Sequence, residues 1–261
     1  MRYRRYLLFV TVLSCFFITG LVTGSKAAQE MDNRIYAGLL GKYVRNGLVD
    51  YQGFKNEEAK LDQYLKALEE DQYLKALEEI DTKELSRDEQ FAFYINAYNA
   101  WTIKLILTGY PGVKSIKDLG SFFSSPWKKK ICRIDGEVIS LDQIEHGILR
   151  PRFKDPRVHF AINCAARSCP PLRSDPYEGA ILDQQLNEMA SAFINDPSRN
   201  RLERNTLYVS KIFDWFEEDF DGDVVGFILK YAKGGLKKGL EINKGDVVIK
   251  YLDYDWSLNA K

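Results

Sequence analysis

Residues 86–109, SRDEQFAFYINAYNAWTIKLILTG, decide the fold. Ser86 and Glu89 form a capping box, in which each side chain satisfies an orphan backbone N–H. Gly109, with Pro111 behind it, marks the stop. Between them Phe91, Tyr94, Ile95, Tyr98, Trp101 and Ile103 belong to a run with hardly a polar side, and a helix apolar nearly all round is buried nearly all round. Asn96 and Asn99 sit inside it. A buried amide without partners costs about 1–3 kcal/mol, so both either tie this helix to adjacent loops or form the polar side of a site.

Working outward, residues 32–45 have the helical spacing of Ile35, Leu39, Leu40 and Val44, with Asn46-Gly47 as a stop, and a second helix runs from about Asn56 to Glu79. Downstream, strands at 130–134 and 138–139 are joined by Asp135-Gly136, which reads as a tight hairpin. Ser140 and Gln143 form another capping box, opening a short helix, 141–150, that Pro151 ends. Asp175, Pro176 and Glu178 open a longer helix that stops at Asn195-Asp196-Pro197. Further strands are predicted at 158–163, 207–209 and 247–252. Helices and strands do not alternate regularly, and no Gly/Ser or Pro linker divides the chain. The pattern is α+β: a single mostly helical domain with a small, largely antiparallel sheet. A helical segment spans 28–87, a central part 88–220, and a C-terminal helix and strands at 221–261 complete the same domain.

The chain has 261 residues, 37 basic and 37 acidic, and is 45% apolar. That composition excludes disordered, collagen-like and small disulfide-scaffold proteins. With no excess of Lys and Arg to neutralise phosphates, the electrostatic case for nucleic acid is also absent. Arg2, Arg4 and Arg5 head an apolar stretch from Leu7 to Gly24, followed by the small residues around Ser25-Lys26-Ala27, which reads as a secretory signal peptide over 1–27. Its removal takes away Arg2, Arg4, Arg5 and Lys26 and no acid, leaving 33 basic against 37 acidic residues and a net charge of −4. An exported, periplasmic or extracellular protein is expected, with no stable membrane span after cleavage.

The remaining three Cys and both His fall between Cys132 and Cys169. The order is Cys132, Glu145-His146, Arg150, His159, Cys164, Cys169. A Cys–His pair oriented by a carboxylate or amide makes a thiolate nucleophile, because the imidazolium lowers the thiol's pKa from about 8.5. A metal fits less well, since the spacings of two His and two Cys match none of the compact zinc patterns. In an oxidising compartment, Cys164 and Cys169 instead form a disulfide closing a Pro-rich loop. His159 and Cys164, five apart, would face opposite sides of a continuous strand, so they meet only if the strand ends before Cys164. The departure at Ala165-Ala166-Arg167-Ser168-Cys169-Pro170-Pro171 allows this. In the 141–150 helix, Leu141, Ile144 and Ile148 make the buried stripe, with Glu145 at its margin and His146 farther round. The aromatic C-terminus from Tyr251 to Trp256 reads as a final strand, a lid or a contact surface, with aromatics there more often core than ligand platform.

The segments FYINAYNA (93–100), LDQIEHGILR (141–150), DPRVHFAINC (155–164) and SCPPL (168–172) resemble the signature blocks of the domain-of-unknown-function family numbered 547. SKIFDWF (210–216) with Asp219-Phe220 is similar to its C-terminal block. The resemblance implies an exported bacterial member with no established activity. In plant-type members Ser replaces the second Cys of the SCP block, which implies a role for Cys164 independent of Cys169. The expected site is a Cys-dependent hydrolase or acyltransferase centre of the broad papain and transglutaminase type, with Cys164 as nucleophile, His159 as base, and Glu145 or an Asn amide fixing the imidazole. It acts on a small-molecule or peptide substrate and needs no cofactor or metal. One departure is clear: in such enzymes the Cys opens the central helix and precedes the His, whereas here His159 comes first and the buried helix carries Asn96 and Asn99. The alternative is a non-catalytic cell-envelope binding domain, in which Asn96, Asn99, Glu145, His146 and Arg150 form a polar network beside a structural Cys164–Cys169 disulfide.

Residues 62–70 and 71–79 both read DQYLKALEE. At about 100° per residue, nine residues turn a helix by roughly 180°, so both copies cannot pack on one core in a straight helix. Deletion of residues 71–79 should therefore leave the melting temperature nearly unchanged in a calorimetric scan; a large drop would show that both copies pack.

Overall fold

The structure, a computed structural model, describes residues 32–78, 85–121, 123–134, 136–243 and 245–261. The signal peptide expected at 1–27 lies outside them, as do Glu79 and the side chains of the second repeat copy. Helix α1 (Arg34–Tyr43) buries Tyr36, Leu39 and Leu40. Asn46-Gly47 does more than stop it. Both residues take positive φ, 52° and 77°, the combination a type I′ hairpin requires, and this turns strand β1 (Val44–Arg45) back onto β2 (Leu48–Val49). A Cβ on Gly47 would stand 2.4 Å from that of Pro171, so only glycine lets this turn pack on the loop after Cys169. Asp50 caps the short α2 (Tyr51–Asn56), which precedes α3 (Glu58–Glu78). The first repeat copy buries Tyr64, Leu65 and Leu68.

Helix α4 (Arg87–Leu107) opens with both halves of the Ser86/Glu89 capping box in place and is buried along nearly its whole length. It packs against α2 and α3 on one side and against the 143–153 and 179–194 helices on the other. Its two amides hold main chain. Asn96 donates to Tyr177 O and accepts from Tyr177 N–H, both at 2.8 Å. Asn99 donates to Ala161 O at 3.0 Å and accepts from Asn163 N–H at 2.8 Å.

Strands β3 (Lys130–Ile134) and β4 (Glu137–Ser140) pair antiparallel as the sequence predicts, and Ser140 and Gln143 exchange the capping hydrogen bonds expected of them. Pro151 does not end the following helix. A π-helix continues through it from Gln143 to Phe153, a wider coil that is rare and concentrated at functional sites. The wider turn also changes the buried face to Ile144, Glu145, Leu149 and Phe153; Glu145 sits in that face, and Ile148 is only half-buried.

The predicted strand at 158–163 is a correction: Val158–Ala161 forms helix α5. A short apolar run that is buried on every side has no periodicity to separate strand from helix. Here Val158 and Phe160 N–H groups close turns on Asp155 and Arg157 O. The predicted helix at 175–195 begins late, at α6 (Leu182–Ile194) behind a 3-10 turn, because residues 176–178 are held extended by Gln185, which bonds Pro176 O and Glu178 N–H, and by Asn96.

Strands β5 (Arg201–Glu203) and β6 (Thr206–Val209), helices α7 (Ile212–Trp215), α8 (Val224–Tyr231) and α9 (Gly234–Ile242), and β7 (Val248–Tyr251) complete the chain. The strands form three small sheets, antiparallel except for β6–β7, which is parallel. Buried side chains from Tyr36 to Leu258 join in one core, and the fold is α+β. Among the described residues no helix is long and apolar enough to cross a membrane.

Asn99→Ala removes two buried hydrogen bonds and leaves Ala161 O and Asn163 N–H without partners. It should cost about 2–4 kcal/mol in urea unfolding, well above the effect of alanine at the exposed Asn56.

Candidate functional site

The loop after α5 is stitched by one buried amide. Asn163 Nδ2 donates to Pro170 O at 2.7 Å, and its Oδ1 accepts from Ala165 N–H at 2.9 Å and from Asn259 at 3.2 Å. These bonds hold Ala165 at φ 61°, a left-handed conformation that costs a non-glycine residue free energy and persists only where the surroundings determine it. Cys164 and Cys169 are disulfide-bonded across this loop, with Cα atoms 6.1 Å apart. Cys164 is half-buried and Cys169 is buried. The C-terminal tail runs beside the loop through Arg167 N–H to Ser257 O and Ser168 N–H to Asp255 O. It thereby brings the Tyr254 hydroxyl to 3.3 Å from each sulfur.

Helix α5 places His159 on the same cavity. Its Nε2 lies 2.6 Å from Asp219 Oδ2, and its ring stacks on Phe216 with centroids 3.9 Å apart. Asp219 also accepts from Arg150 Nε at 2.6 Å. Burial works against ionisation of Asp219, but the hydrogen bonds from His159 and Arg150 outweigh it and hold the carboxyl well below the usual carboxylate range. Burial lowers the pKa of His159 despite Asp219 beside it, so near pH 7 the imidazole is neutral. An ionised Asp219 then takes the Nε2 proton's hydrogen bond, and Nδ1 keeps the free lone pair.

The π-helix supplies the remaining polar groups. Glu145 is buried and accepts from Tyr98 O–H at 3.2 Å. Burial pushes its carboxyl up to about 7, with Tyr98 and Arg150 opposing. His146 is exposed, 2.9 Å from Arg150 Nη1, which donates to its Nδ1. Burial and Arg150 lower its pKa.

The cavity they share has a volume of about 250 Å³ and is lined by Glu145, His146, His159, Cys164 and Cys169 together with Tyr98, Trp127, Trp215, Phe216, Tyr254 and Trp256. Asp142 lines it too, and no Lys or Arg does among the described residues. Five of the residues singled out from the sequence therefore meet in one place. Asn96 and Asn99 do not line the cavity, and Arg150 stands behind it on Asp219 and Glu218. Sequence reasoning missed three kinds of residue. Asp219, rather than Glu145, contacts the imidazole; beside Glu217 and Glu218 its only mark was its place with Phe220 in the C-terminal block of the family resemblance. Tyr98 is one aromatic among many in α4. Tyr254 and Trp256 come from the aromatic tail, whose composition was the one available signal. Cys132 is buried, free and absent from the cavity, its thiol pushed up to about 12 by burial. Among the described residues no group of three or more His, Cys, Asp or Glu is placed to hold a metal ion.

The fold and cleft define an α+β domain with an aromatic-walled polar site. Residues 82–194 match a family described as a protein of unknown function, DUF547. The matched stretch includes α4, Glu145, His159 and both disulfide cysteines, and ends before Asp219. No curated protein and no solved structure matches the chain.

Glu145 gives a pH signature. Its folded pKa lies above the unfolded value, so the native state holds the extra proton and loses stability on this account as pH rises from about 4.5 to 7, by at most roughly 3 kcal/mol. Glu145→Gln removes that loss. Urea unfolding should show the variant close to the native protein at pH 4.5 and more stable than it at pH 8; equal stabilities at both pH values would mean that Glu145 is not held protonated.

Proposed function

We propose that the cleft is a thiol-dependent acyl-transfer or hydrolytic centre of an exported protein, acting on a small-molecule or peptide substrate. The observation that carries this is the placement of Cys164 on the same cavity as His159, whose Nε2 is fixed on Asp219. With its sulfur reduced, Cys164 is the nucleophile. Nδ1 of His159 takes the thiol proton, and Asp219, in the place expected of Glu145, steadies the imidazolium that results. Glu145, protonated below about pH 7, lies in the cavity as a donor for the leaving group. Export rests on the leader-like residues 1–27 and on a cysteine pair suited to an oxidising compartment.

The disulfide itself favours a second reading. A bond closing the 164–169 loop is what a binding domain with a fixed cleft would use, and its occupant would be an envelope partner or small ligand held by the aromatic wall.

The test is alkylation and acylation of the fully reduced protein. Iodoacetamide titrated from pH 5 to 9 should label one residue, Cys164, fast, with an apparent pKa well below about 8.5. An activated ester such as p-nitrophenyl acetate should leave an acetyl group on Cys164. Asp219→Asn should raise the thiol's apparent pKa and slow acetylation by about 10- to 100-fold, while Cys164→Ser abolishes both reactions. A thiol with an ordinary pKa in the native protein and no change in Asp219→Asn would establish the binding domain instead.

A further inference from the structure

The two sulfurs of the disulfide are not equivalent. Both border the cavity, but Cys164 is half-buried whereas Cys169 is 2% exposed. One hydrogen bond more also falls to Cys169. Its Sγ accepts from Cys164 N–H at 3.0 Å and from Tyr254 O–H at 3.3 Å. A disulfide sulfur has no proton to give, so Tyr254 is the donor to both sulfurs it approaches. Thiol–disulfide exchange proceeds fastest by attack on the accessible sulfur with departure of the better-stabilised thiolate, and these two requirements select the same direction here.

We propose that the Cys164–Cys169 bond is a redox site opened by a dithiol reductant, with attack on Cys164 and Cys169 as the leaving sulfur, so that the nucleophile of the acyl-transfer centre is released by electrons from outside the protein. The donor's thiolate bonds to Cys164 Sγ, and the pair of the broken S–S bond leaves with Cys169, which then takes a proton. The donor's second thiolate attacks its own sulfur in the mixed disulfide and closes the donor's disulfide. Cys164 is expelled as a thiolate, which takes a proton from solvent or is held beside protonated His159. Two electrons and two protons pass from donor to protein.

A dithiol is specified by two features. Cys169 stays beside Cys164 on a short, pinned loop, so a mixed disulfide with a monothiol is reversed by Cys169 attacking back, whereas a dithiol completes the reaction within one molecule. Asp142 on the lining, with no Lys or Arg there among the described residues, also disfavours an anionic monothiol such as glutathione. The functional meaning of releasing Cys164 rests on the acyl-transfer reading; the exchange direction does not.

The experiment treats the oxidised full-length protein, without denaturant, with dithiothreitol or with glutathione at equal thiol concentration, and follows bond opening by mass. Dithiothreitol should open the bond at least about tenfold faster. Short exposure to 2-mercaptoethanol, quenched in acid, should give a mixed disulfide mapped to Cys164. The thiol of the Cys169→Ser variant should react with iodoacetamide at least about tenfold faster than that of Cys164→Ser. Opening only in denaturant, capture on Cys169, equal rates for the two reductants, or equal thiol reactivity in the two variants would overturn the proposal. Ester acetylation of Cys169→Ser separates the two claims. Acetylation with a native bond that dithiothreitol does not open removes the redox site and keeps the acyl-transfer reading. Opening in the stated direction without acetylation keeps the redox site and removes that reading.

Discussion

The two hydrogen bonds of Asn99 are the constraint on which the site depends. A helix as apolar as α4 has no other means of fixing a neighbouring loop in register, because hydrophobic contact is non-directional. Asn99 holds Ala161 O and Asn163 N–H, and these two groups bracket the point where α5 ends and the disulfide loop begins. His159 lies on one side of that point and Cys164 on the other. Asn163 then carries the register onward to Ala165, Pro170 and Asn259. A buried amide with every hydrogen bond made is both stabilising and specific, since each alternative placement leaves main-chain groups unpaired in the core.

That dependence explains what was legible in the sequence. The capping boxes at Ser86 and Ser140 and the β3–β4 hairpin follow from residues three or fewer positions apart, and each forms as read. Buriedness of α4 was legible for the same reason, from apolar residues with no gap. Residues 158–161 were not legible, because a short run buried on every side carries no periodicity and its conformation is set by its surroundings. Nor was the facing of Glu145, which depends on a π-turn that places residues four to five apart on one face in place of three to four. Asn46-Gly47 carried a hairpin signal that reading it as a helix stop passed over.

The site divides the same way. Cys164, His159, Glu145, His146 and Cys169 stood out because thiols and imidazoles are scarce and clustered in this chain. Asp219 and Tyr254 are 60 and 90 residues from the groups they touch, and Asp and Tyr are too common for position alone to mark them. Their roles exist only in three dimensions. Asp219 joins His159 to Arg150, and Tyr254 reaches the sulfurs because the C-terminal tail lies along the disulfide loop.

Electrostatics link these parts. Arg150 bonds Asp219 from behind the cavity and keeps it ionised, which fixes the protonated nitrogen of His159 and leaves the other its lone pair. Glu145, removed from water and hydrogen-bonded to Tyr98, keeps its proton to about pH 7. Glu145 on the cleft and Asp219 behind His159 are thus driven to opposite protonation states, one by burial and one by its hydrogen-bonding partners. The arrangement has a cost, because Glu145 destabilises the fold once it ionises. Apolar side chains could fill that space at no such cost, so packing alone does not account for a protonated acid beside a neutral imidazole and a half-buried sulfur.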